Sequence, residues 1–480
     1  MNRAIIKLFG LVLVLYAVLI GFTSYWSVFD AQGLEENALN RRPLLEQERI
    51  RRGVIRTSDG ETIAVSHGKG RGSRRVYTRS YPGGSLYGNP VGYSYIDRGQ
   101  VGLEKSHNDD LVGNKPEFTT ILDQLLGRDP EGDDLVISIN AEAQRAATEA
   151  LAGRCGAVVA IEPSTGKVRT MASLPAYDPN EVRSEARFRA FNKNSLSPLF
   201  NRTTQSGYPP GSTFKVVTAV AGIDSRKVTP ASTFSGRSPI DIGGVPLQNF
   251  GNSQFGVIDL TTALTNSVNT VWAQVGERIG KDILFRYMNR FGFDHQPEID
   301  YPSSQIRVSG VFDGRRVLDS GDAVDVGRVA IGQERLQVTP LQMAMVAAAI
   351  ANGGELMRPA MWERVVDPDG RTVRRMKPHK QSTVMSRRSA AAITEMMANV
   401  VREGTGTAAA LSGIEVGGKT GTAEVGQSPC GAGPNQAWFI GFAPLDDPRV
   451  AVAVTVERTT GQGGTEAAPI AKLVMEALVG

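Results

Sequence analysis

The segment that most constrains this chain lies near its start, because the 22 residues from Leu8 to Phe29 carry no charge. As a helix rising about 1.5 Å per residue, this segment is long enough to cross a hydrocarbon core of about 30 Å. Arg3 and Lys7 precede it, and basic residues near one end favour a cytoplasmic N-terminus. A cleaved signal peptide is the alternative, but no small-x-small cleavage site follows soon after the apolar run. We therefore expect an uncleaved anchor, with everything after residue 30 outside the cytoplasmic membrane.

The composition is that of ordinary globular protein, with 41% hydrophobic and 21% charged residues in a chain of 480. The net charge is only +4, but the stretch from Arg41 to Arg79 contains eleven basic residues against four acidic ones. No nucleic-acid recognition motif accompanies this stretch. A solvated basic face close to anionic lipid or an acidic wall polymer is therefore favoured over nucleic-acid binding.

Cys155 and Cys430 are the two cysteines of the chain. Two cysteines are too few for a disulfide scaffold or a cysteine-based zinc site. In an oxidising compartment they can pair with each other. A disulfide and two buried free thiols both remain open at this point.

We divide the chain into a cytoplasmic tail (1–7), the anchor (8–29), a polar linker (30–45), an N-terminal extracytoplasmic domain (46–132) and a larger domain (133–480). The N-terminal domain is rich in Gly, Arg and Tyr, and its short β-prone pieces are interrupted by glycine. This pattern predicts an irregular, mostly-β module without a catalytic cluster of its own.

Strand candidates begin and end the larger domain, at Leu135–Ile139, Gly156–Glu162, Lys167–Ser173, Glu415–Val425, Gln436–Ala443 and Arg449–Glu457. Helical periodicity occurs at Ala141–Leu151, 211–223, 258–279, Leu341–Asn352 and Ala467–Leu478, and a hairpin is predicted at Arg364–Met376. The order of these elements predicts an α+β fold in which an antiparallel sheet, with its first and last strands adjacent, packs against helices.

The sequence Ser-Thr-Phe-Lys at Ser212 to Lys215 places a hydroxyl and an amine three residues apart at the start of an apolar run. Residues three apart share one face of a helix, so the serine can act as a nucleophile with the lysine as its base. Ser66–Lys69 and Ser164–Lys167 also match Ser-x-x-Lys. Only Ser212 opens a predicted helix, where free backbone N–H groups favour negative charge. A plain N-cap serine is the alternative interpretation.

Two further polar motifs lie downstream. The sequence Gly-Gly-Lys-Thr-Gly-Thr at Gly417 to Thr422 falls in a strand candidate, where a lysine, two hydroxyls and bare backbone suit a carboxylate along a sheet edge. A glycine-rich bulge with a solvated lysine is the alternative. Ser267-Val268-Asn269 lies inside an otherwise apolar stretch, where buried polar groups need partners. Ser-x-Asn also occurs at Ser106–Asn108 and Ser138–Asn140, so it is weak alone.

Ser-x-x-Lys, Ser-x-Asn and Lys-Thr-Gly in this order are typical of penicillin-binding proteins and class A β-lactamases. The chain resembles a class B penicillin-binding protein, and is most similar to the actinobacterial penicillin-binding protein A type. The resemblance implies a penicillin-binding/β-lactamase-like transpeptidase domain, preceded by a dimerisation or pedestal-like domain and a transmembrane helix. It extends over nearly the whole chain, including the anchor, Arg51–Arg56, Val101–Glu104, Gly156–Pro163, Gly332-Gln333 and Thr339–Gln342.

The resemblance also implies a role for each motif residue. Ser212 would be the acylated nucleophile, and Lys215, as a neutral amine, would take its proton. Ser267 would relay a proton to the leaving amine, and Asn269 would hold Lys215 and the substrate amide. Lys419 would lower the pKa of Lys215 by like-charge repulsion. The substrate carboxylate would be bound by Lys419, Thr420, Gly421 and Thr422, and the oxyanion by the backbone N–H groups of Ser212 and Thr422.

The implied function is that of a peptidoglycan D,D-transpeptidase that cross-links stem peptides through a serine acyl-enzyme, with division as the favoured setting. Its partners would be a stem peptide ending in D-Ala-D-Ala, β-lactam antibiotics that mimic that end, the cytoplasmic membrane and divisome proteins. No cofactor, metal or nucleic acid is expected. Two alternatives stay open: a D,D-carboxypeptidase or β-lactamase-like hydrolase using the same serine, and a non-enzymatic divisome scaffold.

Other chemistries fit the sequence poorly. The four histidines are scattered, and none lies in a Gly-x-Ser-x-Gly or His-Glu-x-x-His setting, which disfavours a Ser-His-Asp hydrolase or a zinc enzyme. Gly413 to Thr420 fits the letters of a phosphate-binding loop, but Gly421 follows where that loop's helix has to start.

Overall fold

The computed structural model describes residues 2–26, 48–70, 75–113 and 131–480. Helix α1 covers Asn2–Ser24, and its portion Ile5–Ser24 is long and apolar enough to cross a membrane. This span begins slightly before the predicted Leu8 because two isoleucines extend the apolar run past Lys7. The last residues of the predicted anchor, 27–29, and the predicted linker 30–45 lie outside the described residues.

The N-terminal lobe, residues 48–70 and 75–113, is built of short strands and helices whose buried apolar side chains belong to the same cluster as those of the larger part of the chain. Ile55, Leu103 and Leu111 are fully buried there. Its elements are β1 Ile55–Arg56, β2 Thr62–Lys69, β3 Val76–Ser80, α2 Gly88–Val91, β4 Ser94–Tyr95, β5 Gly99–Gln100, α3 Gly102–Ser106 and α4 Asn108–Val112. The irregular, mostly-β module predicted from the glycine-interrupted pattern is therefore confirmed.

A five-stranded antiparallel sheet forms the centre of the larger part of the chain. Its strands are β7 Gly156–Ile161, β8 Val168–Leu174, β20 Gly417–Glu424, β21 Asn435–Ala443 and β22 Val450–Thr459, in the spatial order β20-β21-β22-β7-β8. The predicted hairpin β7–β8 turns at Gly166, whose φ of 82° is a conformation that glycine adopts freely. Ala453 of β22 lies opposite Val159 of β7, so the first and last strands meet as predicted.

Helices cover both faces of this sheet. On one face lie α5 Ala141–Leu151 and α15 Ala468–Val479, packed against alternate side chains of the strands such as Val158 and Val454. On the other face lies α13 Pro340–Ala351, against the intervening side chains such as Val159. Because successive strand residues point to opposite faces, one sheet supports both layers. Helix α13 is apolar except for Gln342 and is buried along nearly its whole length.

The remaining helices form a lobe between β8 and β20. They are α6 Glu185–Lys193, α7 Arg202–Gln205, α8 Lys215–Asp224, α9 Leu260–Thr265, α10 Asn269–Ile279, α11 Lys281–Arg290, α12 Val326–Val329 and α14 Arg387–Arg402. Short strands between them are β9 Thr233–Ser235, β10 Ile240–Ile242, β11 Val245–Leu247, β12 Val257–Asp259, β13 Gly310–Asp313, β14 Arg316–Val317, β15 Leu336–Gln337, β16 Glu355–Met357 and β19 Lys380–Thr383.

The prediction of one continuous helix over 258–279 is wrong. Its first residues belong to β12, and the remainder is split into α9 and α10 by a break at residues 266–268. Ser267 has a φ of 58°, which no α-helix accommodates. Val268 is nevertheless buried like Leu264 and Val271. The apolar period therefore continues across the break, so periodicity reports burial correctly but not the backbone path.

A six-stranded sheet joins the N-terminal lobe to the rest of the chain, in the order β18-β17-β6-β1-β2-β3. Its additional strands are β6 Asp134–Ile137, β17 Trp362–Val366 and β18 Thr372–Arg375, of which the last two form the predicted hairpin. Ile55 of β1 pairs in parallel with Leu135 of β6. The sheet therefore crosses the boundary predicted between residues 132 and 133, and division of the chain there stays a prediction.

A buried histidine adds a polar contact at the same joint. The ring nitrogens of His107 lie 3.0 Å from a carboxylate oxygen of Asp110 and 2.9 Å from one of Asp300. Burial alone lowers the pKa of His107, but hydrogen bonds to the two carboxylates outweigh it and raise the pKa to about 9. His107 is therefore a cation at neutral pH that ties the N-terminal lobe to the segment containing Asp300.

Cys155 and Cys430 form a disulfide, so the pairing alternative is confirmed. Their Cα atoms are 5.5 Å apart although 275 residues separate them along the chain. Cys155 directly precedes β7, and Cys430 lies in the loop between β20 and β21. The disulfide therefore ties this loop to the start of β7, which is three strands away from β20 in the sheet. Cross-links of this kind typically contribute about 2–4 kcal/mol to stability.

Candidate active site

Ser212 lies on a single 3₁₀ turn, Gly211–Phe214, which leads directly into α8 at Lys215. In a 3₁₀ turn residues three apart eclipse one another, which places the serine and the lysine on one side. Gly211 has a φ of 52°, and a Cβ there would lie 2.7 Å from the carbonyl oxygen of Thr422. Only glycine therefore lets this turn approach β20 so closely. Ser212 is half-buried, and its hydroxyl has no hydrogen-bond partner among the described residues.

Lys215 brings the Ser-x-x-Lys and Ser-x-Asn motifs together. Its side chain is fully buried. The Nζ atom donates to the carbonyl oxygen of Ser267 at 2.7 Å and to Oδ1 of Asn269 at 2.6 Å. It also lies 3.3 Å from the Ser267 hydroxyl. The amine is thus held by the backbone and side chains of the break between α9 and α10.

Lys419 brings in the third motif. It is also fully buried, and its Nζ atom donates to the Ser267 hydroxyl at 2.9 Å and to the carbonyl oxygen of Thr420 at 2.8 Å. The hydroxyl of Ser267 therefore lies between the amines of Lys215 and Lys419. All three motifs meet in one place, as the spacing and the resemblance led us to expect.

Neither lysine amine has a carboxylate partner within the part of the chain that the structure describes. Burial lowers the pKa of Lys215 well below its ordinary value, and the nearby charge of Lys419 lowers that pKa further. Burial also lowers the pKa of Lys419, to about 7. The site therefore favours loss of the proton from Lys215, as a general base requires.

The break at Ser267 is what points its carbonyl and hydroxyl at the lysines. A left-handed φ at a non-glycine residue costs about 1–3 kcal/mol and persists only when the surroundings enforce it. Here the Ser267 N–H donates to Leu264 O at 3.1 Å and the Val268 N–H donates to Ala263 O at 2.9 Å. The Asn269 amide donates to Gln248 O at 2.9 Å, which fixes the other end of the break.

The strand β20 is an edge strand of the five-stranded sheet and runs alongside the Ser212 turn. A Cβ on Gly421 would lie 2.8 Å from the carbonyl oxygen of Pro210 and 3.1 Å from the amide nitrogen of Thr213. The hydroxyl of Thr420 bonds that of Thr405 at 2.6 Å. The hydroxyl of Thr422 accepts from the Gly463 N–H at 3.2 Å. The predicted substrate-binding residues therefore lie directly beside the predicted nucleophile.

Sequence reasoning assigned no role to several residues that build this site. Thr405 and Gln248 contact motif residues but lie in loops without a pattern of their own. Gly332 belongs to a segment that carried the resemblance. Its carbonyl accepts from the Gly211 N–H at 3.1 Å, and a Cβ on Gly332 would lie 1.9 Å from Gly211 O. Its glycine identity was the available signal of a close backbone approach.

The competing motif matches lie elsewhere or in the wrong setting. Ser66 is on β2, and Ser164 is in the β7–β8 turn, where Lys167 pairs with Glu363 at 3.0 Å. Lys419 lies inside a strand that continues to Glu424, so no helix starts after it, as a phosphate-binding loop requires.

Comparisons with known proteins identify the family of this chain. Residues 156–476 match the family described as the penicillin binding protein transpeptidase domain, and residues 52–135 match the penicillin binding protein A dimerisation domain. The chain therefore belongs to the penicillin-binding protein transpeptidase family.

Individual relatives cover almost the full length. The peptidoglycan D,D-transpeptidase PbpA of Mycolicibacterium smegmatis is 34% identical over 99% of both chains. The protein of the same name from Mycobacterium tuberculosis is also 34% identical, over 99% of both chains. The ceftriaxone acyl-enzyme complex of penicillin-binding protein A from M. tuberculosis superposes with a TM-score of 0.82 and 33% identity, covering 91% of this chain and all of that one.

We predict that Gly421→Ala slows acylation by a β-lactam about 100-fold, because displacing catalytic groups by about 1 Å has an effect of that size. The new methyl group would meet backbone atoms of the Ser212 turn, which cannot rotate away. Gly426→Ala is the matched control, since a Cβ there meets no atom within 4 Å. Labelling with a fluorescent penicillin measures both rates. Acylation of a folded Gly421→Ala protein at the wild-type rate would contradict the proposed close approach.

Proposed function

We propose that this chain is a membrane-anchored peptidoglycan D,D-transpeptidase in which Ser212 is the acylated nucleophile. One observation supports this assignment above all. The side chain of Lys215, one turn after Ser212, is buried without a carboxylate partner among the described residues, and its amine donates hydrogen bonds to Ser267 and Asn269. A stem peptide ending in D-Ala-D-Ala is the donor, and β-lactams react at the same serine because they mimic that end.

In the acylation step the neutral Lys215 amine takes the proton of the Ser212 hydroxyl as its oxygen attacks the penultimate D-Ala carbonyl. A neutral amine has two N–H donors and one lone pair. Its two short hydrogen bonds, to Ser267 O and Asn269 Oδ1, use the donors and leave the lone pair for the proton. The depressed pKa of Lys215 keeps this form populated at working pH.

Collapse of the tetrahedral intermediate breaks the amide bond and requires a proton on the departing D-alanine amine. Ser267 supplies it, since its hydroxyl lies 3.3 Å from Lys215 Nζ and 2.9 Å from Lys419 Nζ. The proton gained by Lys215 therefore passes through one hydroxyl to the leaving group. An acceptor amine from a neighbouring stem then attacks the acyl-enzyme, and the same groups act in reverse.

The edge strand β20 binds the donor. Lys419, Thr420, Gly421 and Thr422 line the position for its terminal carboxylate, and protonated Lys419 favours that charge. Gly211 lets the backbone of the Ser212 turn lie against Thr422, so the N–H groups of Ser212 and Thr422 can form the oxyanion hole. Removing one donor from such a hole typically slows reaction by about 10²–10³-fold.

We predict that penicillin G adds its full mass to the wild-type chain and nothing to Ser212→Ala, as measured by intact-mass spectrometry. Ser164→Ala is the control, because Ser164 belongs to a second Ser-x-x-Lys match in an exposed turn. A labelled Ser212→Ala protein, or an unlabelled wild type, would refute the nucleophile. Persistence of the adduct supports a transpeptidase, whereas its rapid release would favour the hydrolase alternative.

We predict that Lys419→Gln shifts the pH profile of penicillin acylation, so that the rate begins to fall at a higher pH as the solution is made more acidic. The positive charge of Lys419 lowers the pKa of Lys215, so removing it raises the pH at which Lys215 becomes neutral. The measurement is the second-order rate of penicillin acylation across the acidic and neutral range, with Lys167→Gln as control. A midpoint that stays in place or moves to lower pH would exclude this charge coupling, whatever the absolute rate.

Orientation and cellular setting are further parts of the proposal. The apolar span Ile5–Ser24, together with the basic residues before and within it, supports a cytoplasmic N-terminus with the catalytic part outside. We place the enzyme at the division site with divisome partners. A fluorescent protein fused before Met1 should stay protected from external protease in spheroplasts and concentrate at septa. Digestion of the tag, or uniform peripheral signal, would contradict the topology or the setting respectively.

A further inference from the structure

Helix α10 begins at Asn269 of the Ser-x-Asn motif, and the N–H groups of its first turn need acceptors from outside the helix. Val268, the residue before it, has an apolar side chain and cannot cap them. Instead, Oδ1 of Asn249 accepts from the Thr270 N–H at 3.0 Å, although Asn249 lies 21 residues earlier. The side chain that caps this helix therefore comes from the loop that follows β11.

Asn249 is itself held in a single orientation. It is 4% exposed, and its Nδ2 donates to Gly236 O at 3.1 Å and to Ser253 O at 3.0 Å. Its backbone N–H donates to the Ser238 hydroxyl at 3.0 Å. Two carbonyls require the NH₂ end of the amide, and the Thr270 N–H requires the oxygen end. The amide therefore cannot reverse without losing all three side-chain hydrogen bonds.

The loop around Asn249 has no apolar anchor of its own. From Gln248 to Gln254, Asn249 is the only residue that is buried, and Phe250 is 71% exposed. Polar contacts therefore hold this run of the chain, and the bond from Asn249 to Thr270 ties it to the backbone of α10. Loss of the Asn249 side chain should allow the neighbouring Gln248 carbonyl to move.

That carbonyl fixes the orientation of the Asn269 amide. Gln248 O accepts from Nδ2 of Asn269 at 2.9 Å, and Oδ1 of the same amide accepts from Lys215 Nζ at 2.6 Å. A carbonyl oxygen can only accept hydrogen bonds. Gln248 O therefore requires the NH₂ end of Asn269 on its own side and the oxygen end on the side of Lys215.

The orientation of Asn269 in turn determines whether Lys215 can act as a base. With Oδ1 facing it, the neutral amine donates an N–H and keeps its lone pair. With the amide reversed, Nδ2 would donate to that lone pair, which then could not take the proton of Ser212. A contact remote from the nucleophile thus controls the state of the proposed base.

We propose that Asn249 is a positioning residue for the general base of this enzyme. By capping α10 and holding the loop after β11, it keeps the Gln248 carbonyl against Asn269 and so keeps the Asn269 oxygen on Lys215. The proposal rests on the proposed function, in which Lys215 takes the proton of Ser212.

Acylation of the full chain by penicillin G in detergent tests this role. The kinetics give k2, the rate constant of the acylation step, and K, the dissociation constant of the complex that precedes it. Asn249→Ala should lower k2 about tenfold or more, because a displaced base slows the chemical step. The value of K should stay within about twofold, since the groups that bind the ligand are unchanged.

Asn89→Ala is the matched control for lost stability. Asn89 is also a buried asparagine, at 5% exposed, and its amide donates to Ser173 O at 3.2 Å in another part of the fold. This variant should leave k2 unchanged, and thermal denaturation shows the folded fraction of each protein. If Asn249→Ala does not fold, Asn249→Ser, which keeps a hydroxyl at this position, enters the same comparison.

A double-mutant cycle separates positioning from a general structural role. In an Asn269→Ala background no amide is left to orient, so Asn249→Ala should lower k2 by less than about twofold further. Equal losses of k2 in both backgrounds, or a change confined to K, would overturn the proposal. An unchanged k2 in Asn249→Ala would refute this role alone. A wild type that forms no penicillin adduct would refute the proposed function together with it.

Discussion

The chemistry proposed for this protein depends on a lysine amine that is buried without a counter-ion. Lys215 and Lys419 are both fully buried around the hydroxyl of Ser267, and within the described chain no carboxylate touches either amine. A carboxylate in this position would hold Lys215 protonated and remove its capacity as a base. Burial and the second lysine have the opposite effect. The absence of an acid at this one place is therefore as necessary to the proposed mechanism as the presence of the nucleophile.

Burying two amines in this way is energetically unfavourable. Contacts that take no part in the proposed chemistry hold the backbone next to the Ser212 turn in place. Tyr208, just before the nucleophile turn, donates to the carboxylate of Glu457 on β22, which also pairs with the buried Arg202 at 2.8 Å. The Arg202 guanidinium in turn lies 3.5 Å from the sulfur of Cys430. The chain before Ser212, the central sheet and the disulfide loop after β20 therefore form one connected support for the turn.

Much of this arrangement could be predicted because the informative residues are short-range patterns. The pairing of Ser212 with Lys215 follows from spacing, the strand Gly156–Ile161 from an apolar run beside a turn, and the strand Val450–Thr459 from alternation. The apolar period does not mark the break at Ser267, since Val268 keeps that period intact while the backbone leaves the helix; only the polar residues around Ser267 indicated a position between helices. Contacts such as Thr405 with Thr420 depend on how loops are placed by the sheet, and one sequence carries no local signal of that.

Two clusters of paired cations among the described residues differ in how their charge is balanced. At the catalytic site the excess charge belongs to lysines, which can release a proton when buried, and the resulting neutral amine is what acyl transfer requires. In the N-terminal lobe it belongs to Arg52 and Arg79, and arginine keeps its proton even when buried. Glu104 balances one of these charges and accepts a hydrogen bond from both arginines. The same physical problem, two cations in a low-dielectric interior, thus leads to a proposed base in one place and to a carboxylate shared by two arginines in the other.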